Sequence, residues 1–255
     1  MTDGKDAAAG LNMLDSLNVD VLTDDVSDNY VSKTLFAVSE FSNVVLGGAN
    51  VISGEALLCA NLGFGLRLVS NIGGEQHTLL FDTGPEGAIF LRNCANLGIR
   101  LGEVEAIAIT HGHWDHMAAL PMTIDKIFEE GGRVTVHVNP GMFNERAIRL
   151  STGRVVPVAK VPHPAELEQR GATVGNSPEE RLLLDGHFYN SGEIPRVSSL
   201  RRDALIIYAE RAPRRLGNRT LCYWTSGCSW RRFTAWVLLC SALAPTPVSS
   251  MCACM

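Results

Sequence analysis

The stretch Val104-Glu-Ala-Ile-Ala-Ile-Thr110-His111-Gly-His113-Trp-Asp115-His116 joins a short apolar run to a dense group of imidazoles and carboxylates. The run is β-branched and bounded by polar residues, so it predicts a buried strand over Val104–Thr110. Side chains two apart on an extended chain point the same way. His111 and His113 can therefore reach one cation. Asp115 and His116 follow where a helix would begin and turn toward a neighbouring point. The pattern suits two adjacent divalent metal ions, His111 and His113 for one, Asp115 and His116 for the other. Imidazole and carboxylate are ligands that zinc accepts, and iron or manganese also. Asp115, a ligand by this reading, is also the candidate catalytic residue. The plainer reading, a polar loop on the surface, leaves the strand before and the helix after without a reason.

The flanking sequence predicts an α/β protein. Val19-Asp-Val21-Leu22 alternates as a first strand. Gly65–Val69 and Thr78–Phe81 are apolar runs separated by Asn71-Ile-Gly-Gly74, a hairpin signal. Asp82-Thr-Gly-Pro-Glu breaks the second run, and Gly87–Leu97 reads as an amphipathic helix. Pro121–Glu130 reads as another, ended by Gly131-Gly132. Arg133–Val138 is a further strand. Pro140 to about Pro178 is rich in turn residues and reads as a surface excursion. Leu182–Asp185, His187–Asn190 and Ala204–Ala209 read as short strands. Strand–helix alternation of this kind is the α/β signature.

With 255 residues, 46% of them hydrophobic, the chain can bury a sizeable core. A net charge of −5 without a basic block argues against nucleic acid as a partner. The acidic N-terminus lacks the apolar core of a signal peptide, so the expected compartment is the cytoplasm, with cysteines as thiols. The longest apolar run, Phe233–Ala244, would span only roughly 18 Å as a helix, so no membrane is expected. The last four residues, from Cys252, match a lipidation pattern only loosely. His137 sits in a strand pattern as a packed residue, while His77, His163 and His187 lie among turn residues and read as solvated.

The string Thr110–His116, preceded by Leu80-Phe-Asp82-Thr-Gly84, resembles the metallo-β-lactamase superfamily. That likeness implies an αββα sandwich, a metal pair, and Asp82 supporting the metal ligands from behind. Asn139-Pro-Gly-Met-Phe143 and Ser191-Gly-Glu193-Ile-Pro-Arg196 narrow the likeness, over roughly residues 18–210. They resemble the branch named for 7,8-dihydropterin-6-methyl-4-(β-ribofuranosyl)aminobenzene-5'-phosphate synthase. The branch implies a metal-dependent hydrolase or transferase acting on a small, phosphorylated, pterin-like molecule. Arg196 could bind a phosphate bidentately and Glu193 could orient it. Equally, Gly-Glu-Ile-Pro-Arg could be a rigid turn with its charges on the surface.

The chain departs from that pattern toward its end. The branch implies two later histidines, one of them in a Gly-Cys-Ser-His element. Here Gly227-Cys-Ser-Trp230 stands in that place, and no histidine follows His187. From Gly217 onward, 39 residues contain no Asp or Glu but hold five of the seven cysteines. The expected organisation is a loose leader over 1–17, the α/β domain over 18–216, and an atypical tail over 217–255. The sandwich is then expected to be incomplete on its C-terminal side, as in a truncated, alternatively spliced or out-of-frame product.

Overall fold

Alternating apolar runs and amphipathic helices assemble into a six-stranded mixed sheet, seen in a computed structural model of the chain. The structure describes residues 10–26, 38–150, 152–193, 207–210, 238–239 and 241–242. A two-residue strand β1 (Met13–Leu14) precedes β2 (Ser16–Thr23). Strands β3 (Gly65–Ile72) and β4 (Glu75–Phe81) form the predicted hairpin. Its turn places Gly73 and Gly74 at positive φ, which L side chains rarely adopt. Then come β5 (Ala106–Ala108) and β6 (Thr135–Val138). Strands β7 (Glu145–Arg149) and β8 (Val155–Pro157) pair in a second small sheet, and β9 (Thr173–Asn176) closes the edge of the large one. The large sheet runs β2-β3-β4-β5-β6-β9, antiparallel as far as β4 and parallel beyond.

Five α-helices accompany the strands among the described residues: α1 (Glu40–Leu46), α2 (Gly87–Asn96), α3 (Trp114–Met117), α4 (Leu120–Glu129) and α5 (Pro164–Gln169). Phe90 and Cys94 of α2, Ile124 and Ile127 of α4, and Leu167 of α5 bury one face of the sheet with Leu80, Ile107 and Val136. Gly87 is where α2 meets α4, since a Cβ there would fall 2.5 Å from Met122 Sδ. The other face carries Leu68, Leu79, Phe81, Ala106 and Ala108. It is covered by Leu183 and Phe188 of the hairpin β10 (Arg181–Leu183) and β11 (Phe188–Asn190). No helical residue belongs to this second cluster. Three short strands complete the description: β12 (Ile207–Glu210) beside β7, β13 (Leu238–Leu239) beside β11, and β14 (Ser241–Ala242) beside β1.

Several expectations shift. The first long strand begins at Ser16, three residues before the alternation predicts, and Leu14 is already buried. The run from Pro140 to Pro178 is not a bare surface excursion. It supplies β7, β8, α5 and the edge strand β9, and Leu167 is fully buried. His77 and His187 are not solvated; they are 9% and 3% exposed and their rings meet edge to face at 4.5 Å. His163 is exposed and caps α5 by accepting from the Ala165 N–H. His137 is packed on β6, as expected, with burial pushing its pKa down to about 4.

The two faces make a stability prediction. Phe90→Ala removes a ring that is 1% exposed, and should cost about 3–5 kcal/mol. Leu46→Ala, at a side chain 78% exposed, should stay within about 0.5 kcal/mol of the parent in urea denaturation.

Candidate metal centre

Three chain segments converge on one carboxylate. Strand β4 ends at Phe81, and the next residue, Asp82, is fully buried and held at φ +59°. Its N–H donates to Ala108 O of β5 (3.0 Å). Asp82 Oδ1 accepts from the Thr110 N–H (2.8 Å) and Oδ2 from the Thr110 hydroxyl (2.6 Å). His116 Nδ1–H of α3 donates to the same Oδ2 (2.7 Å). Thr83 N–H and hydroxyl return hydrogen bonds to His116 O. The ends of β4 and β5 and the start of α3 are thus fixed together.

Two glycines let neighbouring loops close on the motif. A Cβ on Gly63, at φ +128°, would sit 2.1 Å from Asp115 O. One on Gly112 would sit 2.2 Å from Met142 O, in the turn Pro140–Phe143 that Asn139 caps.

The hydrogen bonds set the tautomers. The Thr110 hydroxyl gives its only proton to Asp82, so it accepts from His111 Nδ1–H at 3.0 Å. This leaves His111 Nε2 with its lone pair, 3.0 Å from His113 Nδ1. Across the site, His116 Nε2 stands 3.4 Å from Asp115 Oδ2. Two ligands on one tetrahedral zinc lie roughly 3.4 Å apart at bond lengths near 2.0–2.1 Å. Both separations are close to that spacing. The His111 and His116 rings are 4.1 Å apart, which brings the pairs side by side. Among the described residues, no three His, Cys, Asp or Glu donors already close on a common point.

Charge follows the same division. Burial, then the charges of His116 and His113, push His111 down to about 2; burial and Arg146 push His113 down to about 4. Both are neutral at pH 7, the state that binds a cation. Burial also opposes charge on His116. The hydrogen bonds of Asp115 and Asp82 outweigh it and raise its pKa to about 9. For Asp115, burial pushes up, but the His116 hydrogen bond and charge win and hold it below its ordinary value. Burial pushes the Asp82 carboxyl up, against the hydrogen bonds of His116 and Thr110. With three donors on Asp82, the proton of the buried pair belongs to His116.

The other expected residues stand apart. Glu193 is exposed and its N–H donates to Pro178 O; no hydrogen bond or ion pair among the described residues joins it to the motif. Arg196 lies outside the described residues, as does Cys252. The sequence reading overlooked Thr110, although it stands in the quoted motif, and Arg146. Burial lowers the Arg146 pKa to about 10, and its guanidinium donates to the carbonyls of Gly141, Met142 and Asn144. A cavity of about 290 Å³ opens beside the motif, bounded by Gly112, Trp114, Phe143, Arg146, Lys160 and His163.

A family model described as the metallo-beta-lactamase superfamily matches residues 62–194. The chain belongs to the metallo-β-lactamase superfamily, and the mixed sheet with its helices is that fold. Its members are generally metal-dependent hydrolases and typically bind zinc. A comparison with curated proteins finds no match. Among solved structures, the chain is similar to MEM-A1, a subclass B3 metallo-beta-lactamase from a soil metagenome library. The two share 13% identity over 61% of this chain and 54% of that one, with a TM-score of 0.34. It is similar to a putative metallo-beta-lactamase from Thermotoga maritima at 17% identity, over 76% of this chain and 72% of that one, with a TM-score of 0.34. It is also similar to a Cronobacter sakazakii metallo-beta-lactamase with a HARLDQ motif, at 18% identity over 49% and 44%, with a TM-score of 0.29. The chain spans about half the length of the first solved structures it matches.

The buried Asp82–His116 pair has two measurable consequences. Asp82→Asn should weaken zinc binding about 10–100-fold in a competition titration, since it no longer holds His116 as a carboxylate does. In metal-free protein, His116 binds its proton more tightly folded than unfolded. Its contribution to stability is thus fully present below pH 6.5 and lost as pH rises through about 9. Denaturation midpoints measured with chelator should fall over that window, and His116→Gln should flatten the fall.

Proposed function

We propose that the chain is a metal-dependent hydrolase or transferase acting on a small molecule. The carrying observation is the double pair of donors, His111 with His113 and Asp115 with His116, each at the spacing that two ligands of one cation take. Bound there, a pair of divalent cations, zinc foremost and iron or manganese as alternatives, would supply Lewis acidity and an acidified water. Asp82 and Thr110 orient the ligands from behind. Asp115, on the half-buried side of the site, is the candidate catalytic carboxylate.

For the substrate, we favour a phosphorylated, pterin-like compound, as in the dihydropterin-synthase-like branch. The cavity beside Gly112 supports that class. Trp114 and Phe143 offer ring faces; Lys160, paired with Glu145 of the same lining, and Arg146, donating to three carbonyls, bring positive charge. Glu193 and Arg196 remain the candidate phosphate-side residues from the sequence pattern.

A second reading is a non-catalytic or truncated member with an incomplete metal site. It is favoured by one observation: no histidine follows His187, so the motif supplies two protein ligands per cation. Catalytic zinc sites usually have three.

Metal analysis separates the readings. The first predicts about two equivalents of zinc, iron or manganese that are lost, together with phosphoester hydrolysis, on His111→Ala. Less than about half an equivalent of such His111-dependent metal after loading would sink it and leave the second.

A further inference from the structure

Strand β4 carries another unexplained imidazole at its opposite end. His77 shares the face of Leu79 and Phe81, turned toward hairpin β10–β11. Its side chain is 10% exposed. Nδ1 stands 3.0 Å from both oxygens of Glu105, and that carboxylate is itself anchored by the Thr78 N–H (3.0 Å). The other ring nitrogen, Nε2, is buried and makes no hydrogen bond. It faces Glu75 Oε1 at 3.8 Å and Asp185 Oδ2 at 3.9 Å, both beyond hydrogen-bond range. Three carboxylates thus surround one imidazole, and no Lys or Arg pairs with any of them among the described residues. His187 closes one side, edge-on to His77, with its own Nδ1 held by Ser70 Oγ at 2.9 Å.

We propose that His77, Glu75 and Asp185 form a separate divalent-cation site, distinct from the His111–His116 motif, that clips hairpin β10–β11 to the main sheet. An imidazole that gives Nδ1–H to an anchored carboxylate keeps the Nε2 lone pair free and aimed, the arrangement that metal-ligating histidines use. One nitrogen and two carboxylate oxygens suit zinc or a similar first-row ion. Ligands on one such ion lie roughly 3.4 Å apart, so each oxygen must move in by about half an ångström. Neither carboxylate is yet at that spacing, in keeping with the absence of a closed three-donor group. Both are free to make the move: the Glu75 and Asp185 side chains are 72% and 89% exposed. Asp185 sits in the hairpin turn, at φ +52°, while Glu75 and His77 belong to β4. A cation between them therefore joins two layers otherwise held by the apolar contacts of Leu183 and Phe188 and the Ser70–His187 hydrogen bond. It also neutralises carboxylates that have no other cation beside them.

The test uses the full chain carrying His111→Ala and His113→Ala, which removes the motif pair. Zinc is titrated by calorimetry, and bound metal is counted after gel filtration. Adding His77→Gln should remove about one equivalent, or weaken the corresponding affinity at least tenfold. The exposed pair Glu75→Gln/Asp185→Asn should do the same with an unchanged circular dichroism spectrum, so a folding defect at His77 cannot mimic the result. Zinc should also raise the melting temperature of the background protein but not of these variants. Zinc uptake and melting temperature indifferent to both sets of substitutions would overturn the proposal. So would stabilisation of the cluster by acidification alone, with zinc without effect.

Discussion

The Asp82 carboxylate is the constraint on which the candidate site depends. It is fully buried, at the end of a strand, in a backbone conformation that few non-glycine residues adopt. Such a group persists only where its environment satisfies it. Here Thr110 supplies two hydrogen bonds and His116 a third. The same bonds place a proton on Nδ1 of both His111 and His116. One carboxylate thereby orients two candidate ligands on different elements, one directly and one through a threonine hydroxyl.

Around that point, steric permission matters as much as attraction. Gly63 and Gly112 are the places where the loop before β3 and the turn after β6 meet the motif. A side chain at either would push backbone away from Asp115 or from His111 and His113. The large apolar cluster beneath, with Ile109, Met117, Leu120 and Ile124, provides the rigid floor. The helix face of the sheet is the better filled one. The opposite face has a smaller cluster and takes its cover from a short hairpin.

Much of this was legible in the sequence, for identifiable reasons. The β3–β4 hairpin, α2, α4 and the strand before the motif have long apolar runs or clear turn chemistry, and they occur within a few residues of where the pattern puts them. The motif is local in sequence, so its residues necessarily converge. What escaped notice is non-local. Strand β9 reads Thr-Val-Gly-Asn, too short and too rich in turn residues to signal itself, and it exists because β6 offers a parallel edge. His77 and His187 are 110 positions apart and are buried by each other and by Glu105 and Ser70, partners that no periodicity reveals. Thr110 stood in plain view, but its role depends on the direction of one hydroxyl proton.

Strand β4 draws these threads together. Its side chains alternate, Leu80 toward the helices, His77, Leu79 and Phe81 toward the hairpin. Asp82, just past the strand, reaches His116 of α3, while His77, in the other series with Glu75, reaches β10–β11. Four residues, Thr78 to Phe81, lie between them, five steps of chain or roughly 17 Å. A single seven-residue element thus anchors the motif at one end and offers a buried imidazole to the second layer at the other. Whatever secures hairpin β10–β11 therefore also determines how firmly the sheet, and with it Asp82, is held on the face where the described residues place no helix.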